Sequence, residues 1–131
     1  MHKTIISMFL FVAISTVSMA QLAVTKELKP QTFQKELEAS KEAVLIDVRT
    51  PEEVASGHID GAENFDFRAD DFRQKIGALD KNKTYFLYCA SGKRSGQASL
   101  AMVEMGFKSI YTLRGGLNAW EEEKLPVVKK K

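Results

Sequence analysis

The segment Thr84-Tyr85-Phe86-Leu87-Tyr88-Cys89-Ala90-Ser91-Gly92-Lys93-Arg94-Ser95 passes from an apolar and aromatic run, through the only cysteine of the chain, into a small polar loop. An apolar-periodic stretch reaching Met105 follows. A short apolar run entering a helical pattern reads as a buried strand turning into a helix, with Cys89 at the turn. A helix start offers unpaired backbone N–H groups and the positive end of the helix dipole. Lys93 and Arg94 add two positive charges next to the cysteine. All three influences favour the thiolate, which is the reactive form of the side chain.

Outward from this segment, strand and helix patterns alternate. Pro30 to Ala39 reads as a helix with Phe33 and Leu37 on one face. Glu42 to Val48 holds the continuous apolar run that a strand buried on both faces needs. Thr50-Pro51-Glu52-Glu53 is a helix start: Thr50 caps, Pro51 suits the first turn, and Glu53 completes a capping box. Gly57 is expected to stop that helix. Further helices are predicted over Ala69 to Leu79, from about Ser95 to Met105 with Gly106 as its stop, and over Leu117 to Lys124. Ser109 to Leu113 reads as another strand, followed by the turn Arg114-Gly115-Gly116. The alternation implies an α/β fold, a single domain with a central parallel sheet flanked by helices on both faces. Ligands of such sheets bind beyond the carboxyl ends of the strands, where Asp47 and Cys89 both fall.

The N-terminus carries a different signal. Lys3 precedes an uncharged apolar run from Ile5 to Val17, and Ser18-Met19-Ala20 supplies small residues at a cleavage point. This is the pattern of a secretory signal peptide over residues 1–20, cut between Ala20 and Gln21, and the run is shorter than the roughly 20 apolar residues that span a bilayer. The expectation is an exported protein, most naturally periplasmic, with no stable membrane anchor and with residues 21–131 as its domain. The remainder carries 18 basic and 17 acidic residues, a balance that gives no reason to expect a nucleic-acid partner. Lys129-Lys130-Lys131 reads as a solvated tail. One cysteine excludes an internal disulfide. One cysteine with His58 cannot supply the four ligands of a zinc site, so no metal and no cofactor is expected.

Four motifs in order carry a resemblance. Asp47-Val48-Arg49-Thr50-Pro51-Glu52-Glu53, then Gly57-His58-Ile59-Asp60-Gly61-Ala62-Glu63-Asn64, then Cys89 to Ser95, then Leu113-Arg114-Gly115-Gly116 through Trp120 resemble the rhodanese domain in order and spacing. The match covers essentially all of residues 21–131 and looks like the small single-domain, exported kind. The resemblance implies a thiosulfate sulfurtransferase with Cys89 as the catalytic cysteine and Ala90, Ser91, Gly92, Lys93, Arg94 and Ser95 as the loop cradling its persulfide. Its partners would be a small sulfur donor such as thiosulfate and a thiophilic acceptor such as cyanide or a thiol, with a protein donor or acceptor as a further option.

The residues themselves suit that chemistry. A thiolate attacks the outer sulfur of the donor and becomes a persulfide, which an acceptor then discharges, a double displacement with a covalent intermediate. Backbone N–H groups curled around Cys89 would stabilise the terminal sulfur, and Gly92 lets the loop tighten. Lys93 and Arg94 would attract a dianionic donor, Arg94 with the fork that suits bidentate anion recognition. Rhodanese-like loops with basic residues are associated with thiosulfate, those of the related mercaptopyruvate enzymes being less cationic. Ser95 is placed to cap the following helix. Ser91 is poised either to hydrogen-bond the persulfide or to face solvent. Asp47 and Arg49 read as a structural pair near the site, because a buried carboxylate needs such a partner. His58 reads as a hydrogen-bonded turn residue, since an ionised thiolate needs no base.

Two other readings compete. A cysteine-dependent phosphatase or arsenate reductase also uses a thiolate and an arginine on a loop before a helix, but phosphatase loops place five residues between them and this chain places four between Cys89 and Arg94. The shorter ring suits one sulfur atom better than a tetrahedral oxyanion, and no general acid for a leaving alcohol is evident. A persulfide carrier or interaction module with little turnover is the other, which the intact basic loop disfavours without excluding.

Overall fold

In the computed structural model, which describes residues 11–15 and 23–129, the run that carries Cys89 lies at the centre of a five-stranded sheet. The elements in chain order are β1 (Val24–Leu28), α1 (Pro30–Ala39), β2 (Val44–Asp47), α2 (Pro51–Ser56) and β3 (Glu63–Asn64). Then come α3 (Phe72–Gly77), β4 (Thr84–Tyr88), α4 (Lys93–Glu104), β5 (Ser109–Leu113) and α5 (Gly116–Glu122). The strand order is β1-β5-β4-β2-β3, and every pairing is parallel. The predicted leader, apart from residues 11–15, and its cleavage point lie outside the described residues. Among the described residues no helix is long and apolar enough to cross a membrane.

The unbroken apolar character of β4 follows from its position. Successive side chains of a strand point to opposite faces, and a central parallel strand is covered on both. Tyr85, Leu87 and then Cys89 pack on one face with Ile46, Phe72, Ile76, Ala98 and Met102, under α3 and α4. Phe86 and Tyr88 pack on the other with Phe33, Leu45, Leu117 and Trp120, under α1 and α5. Phe33 meets Phe86 and Trp120 edge-on, at centroid distances of 5.2 and 6.4 Å. Such pairs add about 0.5–1.5 kcal/mol each beyond the burial of the rings themselves.

The topology selects the place of the site. From β2 the chain passes outward to β3, and from β4 it passes to β5 on the opposite side. Connections therefore diverge beyond the carboxyl ends of the neighbouring strands β2 and β4, where a sheet of this kind leaves a crevice. Asp47 ends β2 and Cys89 follows β4.

Local chemistry sets the helix boundaries. Thr50 Oγ1 accepts from Glu53 N while the Glu53 carboxylate accepts from Thr50 N, the expected capping box of α2, with Gly57 as its C-cap. Gly106 ends α4 in a Schellman turn: its N–H reaches Val103 O and that of Phe107 reaches Met102 O, with Gly106 at φ 96°. Three helices differ from expectation in their bounds. α3 begins at Phe72 rather than Ala69, because Asp66 gathers the preceding residues into a turn, its Oδ1 accepting from Arg68 N and its carbonyl from Ala69 N. α4 begins at Lys93 rather than about Ser95, and α5 spans Gly116–Glu122 rather than Leu117 to Lys124. The edge strands β1 and β3 had no signal in the sequence reading: β1 is largely exposed and pairs only with β5, and β3 has two residues.

Candidate active site

Cys89 is fully buried, one residue beyond β4. Its Sγ accepts a hydrogen bond from Gly92 N at 3.1 Å and lies 3.5 Å from Ser95 Oγ. Gly92 O lies 3.2 Å from the same Ser95 Oγ, so the one hydroxyl proton has either the sulfur or that carbonyl as its acceptor. Burial pushes the Cys89 thiol up, but hydrogen bonding from the Ser95 side chain and from the backbone N–H groups of Ser95, Gly92 and Ser91 outweighs it. The net position is below that of an ordinary cysteine, so the thiolate is favoured.

Ser95 does not cap α4. Gly92 is the N-cap, in the left-handed backbone region at φ 100°, which glycine enters without penalty. The helix therefore starts earlier than Ser95, and the Ser95 hydroxyl, in the first turn, faces the sulfur. A Cβ on Gly92 would meet only ordinary contacts, so its φ and not crowding requires glycine there.

The two basic residues of the loop diverge. Lys93 is exposed and forms no ion pair with any described residue, whereas Arg94 is held by Glu53 in a two-armed pair, Nη1 to Oε1 at 2.8 Å and Nη2 to Oε2 at 2.9 Å. Hydrogen bonding from Arg94 lowers the Glu53 carboxyl to about 2. Any stability the contact contributes is thus present above the ordinary carboxyl range and lost as pH falls toward that value. Ser91 faces solvent, and its backbone N–H is directed at the sulfur. The sequence marks Glu53 only as a capping residue; its place beside the loop, 41 residues from Arg94, has no local signal.

The far side of the loop is fastened by α5. Leu117 N donates to Cys89 O at 2.8 Å and Asn118 N to Ala90 O at 3.0 Å. Gly116 has φ 60°, and a Cβ there would lie 2.5 Å from both of those carbonyl oxygens. The Gly-Gly turn thus brings the first turn of α5 into direct contact with the Cys89 backbone, beyond the packing and geometry its sequence suggested.

Behind the loop, Arg49 wraps Asp47. Nε lies 3.0 Å from Oδ1 and Nη2 2.7 Å from Oδ2, the Arg49 N–H also donates to Oδ1, and Nη2 reaches Gly57 O. Both side chains are buried. Asn64 Nδ2 bridges the carbonyls of Asp47 and Arg49, and the Tyr88 hydroxyl accepts from Ile59 N. These bonds hold the β2 end beside the β4 end, where Val48 N donates to Tyr88 O. His58 pairs through Nδ1 with Val54 O and through its backbone with Val128, a turn role remote from proton transfer. A groove of about 450 Å³ between α3 and α4 contains no residue of the Cys89 loop. The Cys89 sulfur itself sits buried within the backbone of its loop, 3.1 Å from Gly92 N.

The Rhodanese-like domain family matches residues 29–123 of the chain, which contain the Cys89 loop, Glu53, the Asp47–Arg49 pair and Gly116. The chain belongs to this family. As a rhodanese-like domain it is 41% identical over 101 residues to YtwF of Bacillus subtilis, a protein whose name assigns it provisionally to the sulfurtransferases, covering 77% of this chain and 95% of that one. It is 32% identical over 83 residues to the thiosulfate sulfurtransferase GlpE of Shewanella oneidensis, covering 63% of this chain and 80% of GlpE. Among solved structures, a rhodanese-related protein from Thermoplasma volcanium superposes with a TM-score of 0.70 at 28% identity, over 80% of this chain and 99% of that one. The rhodanese-like domain is therefore a member of a sulfurtransferase family, which implies a sulfur donor and a sulfur acceptor in general terms.

Proposed function

We propose that the protein transfers the sulfane sulfur of thiosulfate to a thiophilic acceptor through a persulfide on Cys89. The observation that carries this reading is the sulfur itself, buried at the base of a ring whose N–H groups and Ser95 hydroxyl favour its anion. The Cys89 thiolate attacks the outer sulfur of thiosulfate. The S–S bond breaks, its electron pair leaves with sulfite, and a Cys89 persulfide anion remains. Cyanide or a thiolate then attacks the terminal sulfur and takes it away, returning the thiolate. The N–H groups that face Sγ are positioned to hold negative charge after the ring gains one sulfur, as oxyanion holes hold oxygen. Lys93, unpaired with any described residue, supplies the free positive charge for drawing in an anionic donor. The leader pattern of residues 1–20 supports export, with the periplasm as destination; recovery from a periplasmic fraction with the mass of a chain starting at Gln21 tests that part.

The test is thiocyanate formation from thiosulfate and cyanide, with Cys89→Ala beside the native protein. Parallel double-reciprocal lines for the native protein, a gain of about 32 Da on thiosulfate treatment that cyanide removes, and no activity in Cys89→Ala are expected for the covalent intermediate. A folded native protein that forms neither thiocyanate nor persulfide from thiosulfate would refute the thiosulfate assignment.

A further inference from the structure

The loop's strongest anion receptor is already occupied. Arg94 presents its guanidinium fork to Glu53 through two short, parallel hydrogen bonds, and its side chain is only 14% exposed. That is the geometry in which arginine binds a planar, two-oxygen anion. A sulfonyl group offers the same pair of oxygens. Glu53 comes from the first turn of α2, whose start is fixed by the capping box with Thr50, so its carboxylate is held at the loop by backbone architecture. The Arg94 charge also acts on Cys89, because the guanidinium is close enough to be favoured by the thiolate.

We infer that Glu53 determines donor specificity: its carboxylate competes with the anionic donor for the Arg94 fork and disfavours donors in proportion to their charge. This inference rests on the sulfurtransfer reading above for its substrates, but not for its electrostatics. Glu53 touches no reacting atom and acts through Arg94, so it is a positioning residue that sets KM and selectivity more than kcat.

Glu53→Gln isolates the charge, because glutamine at the third helical position still completes a capping box and leaves α2 intact. Two donors with the same sulfonyl geometry then report it: thiosulfate, a dianion that releases sulfite, and methanethiosulfonate, a monoanion that releases methanesulfinate. For a carboxylate acting across a partly exposed site, its loss is expected to raise kcat/KM for thiosulfate on the order of tenfold and for methanethiosulfonate by about threefold, the square root, through KM. The thiol supplies a second readout that needs no sulfur transfer. Alkylation of Cys89 by iodoacetate, an anion, relative to iodoacetamide, which is neutral, is expected to rise by about threefold in Glu53→Gln, whatever happens to the thiol itself. Glu53→Asp, which keeps the charge, is expected to leave that ratio near the native value.

Equal changes for the two donors, or an alkylation ratio unmoved by Glu53→Gln, would overturn the inference. A ratio that rises in a protein that transfers sulfur from neither donor would sink the sulfurtransfer reading while supporting the electrostatic role of Glu53.

Discussion

Gly116→Ala tests the claim that α5 fastens the Cys89 loop by direct backbone contact. The new Cβ would lie 2.5 Å from the carbonyl oxygens of Cys89 and Ala90, on a residue whose φ of 60° is left-handed. Holding alanine in that conformation costs about 1–2 kcal/mol. Relieving the overlap requires α5 to withdraw, which breaks the bonds from Leu117 N and Asn118 N to those same carbonyls. Two such bonds contribute about 0.5–1.5 kcal/mol each, so the total loss is about 2–5 kcal/mol. Gly106→Ala is the matched comparison: its φ is 96°, and the nearest atom to an added Cβ is Lys81 Cδ at an ordinary 3.7 Å. It should cost about 1–2 kcal/mol for the backbone alone. Urea unfolding of both variants reads the difference, expected at roughly 2 kcal/mol with similar slopes. The Cys89 alkylation rate should change in Gly116→Ala and stay native in Gly106→Ala. Equal destabilisation of the two, within about 0.5 kcal/mol, together with native thiol reactivity in both, would refute the contact as the reason for glycine at this position.

Two further outcomes follow from the site. The Cys89 thiol lies below the ordinary range partly through the Ser95 hydroxyl, so Ser95→Ala is expected to move the midpoint of the alkylation-against-pH profile upward. Because the folded state favours the thiolate, the associated stability is present above the unfolded thiol's range and lost as pH falls through the folded one, so Ser95→Ala should lose stability mainly on the alkaline side; an unmoved midpoint would remove Ser95 from the account. Arg49→Met leaves the Asp47 carboxylate fully buried without its guanidinium partner. A loss of about 3–5 kcal/mol in urea unfolding is expected, and a loss below about 1 kcal/mol would show that the pair does not hold the strand ends together.

Much of this protein was legible in one dimension, because the signals were local. The run Tyr85 to Tyr88 is apolar at every position because both faces of a central parallel strand are covered, and that same run carries Cys89 to the carboxyl edge. Thr50 with Glu53, Gly57 and Gly106 declare helix ends through bonds spanning a few residues. The pairing of Asp47 with Arg49 is also a two-residue affair that the need of a buried carboxylate for a partner anticipates.

What the sequence could not decide required residues distant in the chain to meet. Placing Ser95 as a helix cap failed because the left-handed Gly92 starts α4 earlier, leaving the hydroxyl to face a sulfur six residues away. The edge strand β1 exists only through its ladder with β5, some 85 residues on, which no local pattern of five largely exposed residues announces. Glu53 and Arg94 are 41 residues apart and meet because β2 and β4 are neighbours in the sheet, so that the helices that follow them start side by side. Likewise Gly116 meets Cys89 and Ala90 only after β5 has returned the chain to the same edge. Composition and periodicity determined which segments would be buried strands and that the single cysteine would sit where one of them turns into a helix, since those depend on neighbours in the chain. Tertiary structure alone decided how the loop's charges are paired, because a Coulomb interaction depends on distance in space and not on separation in sequence.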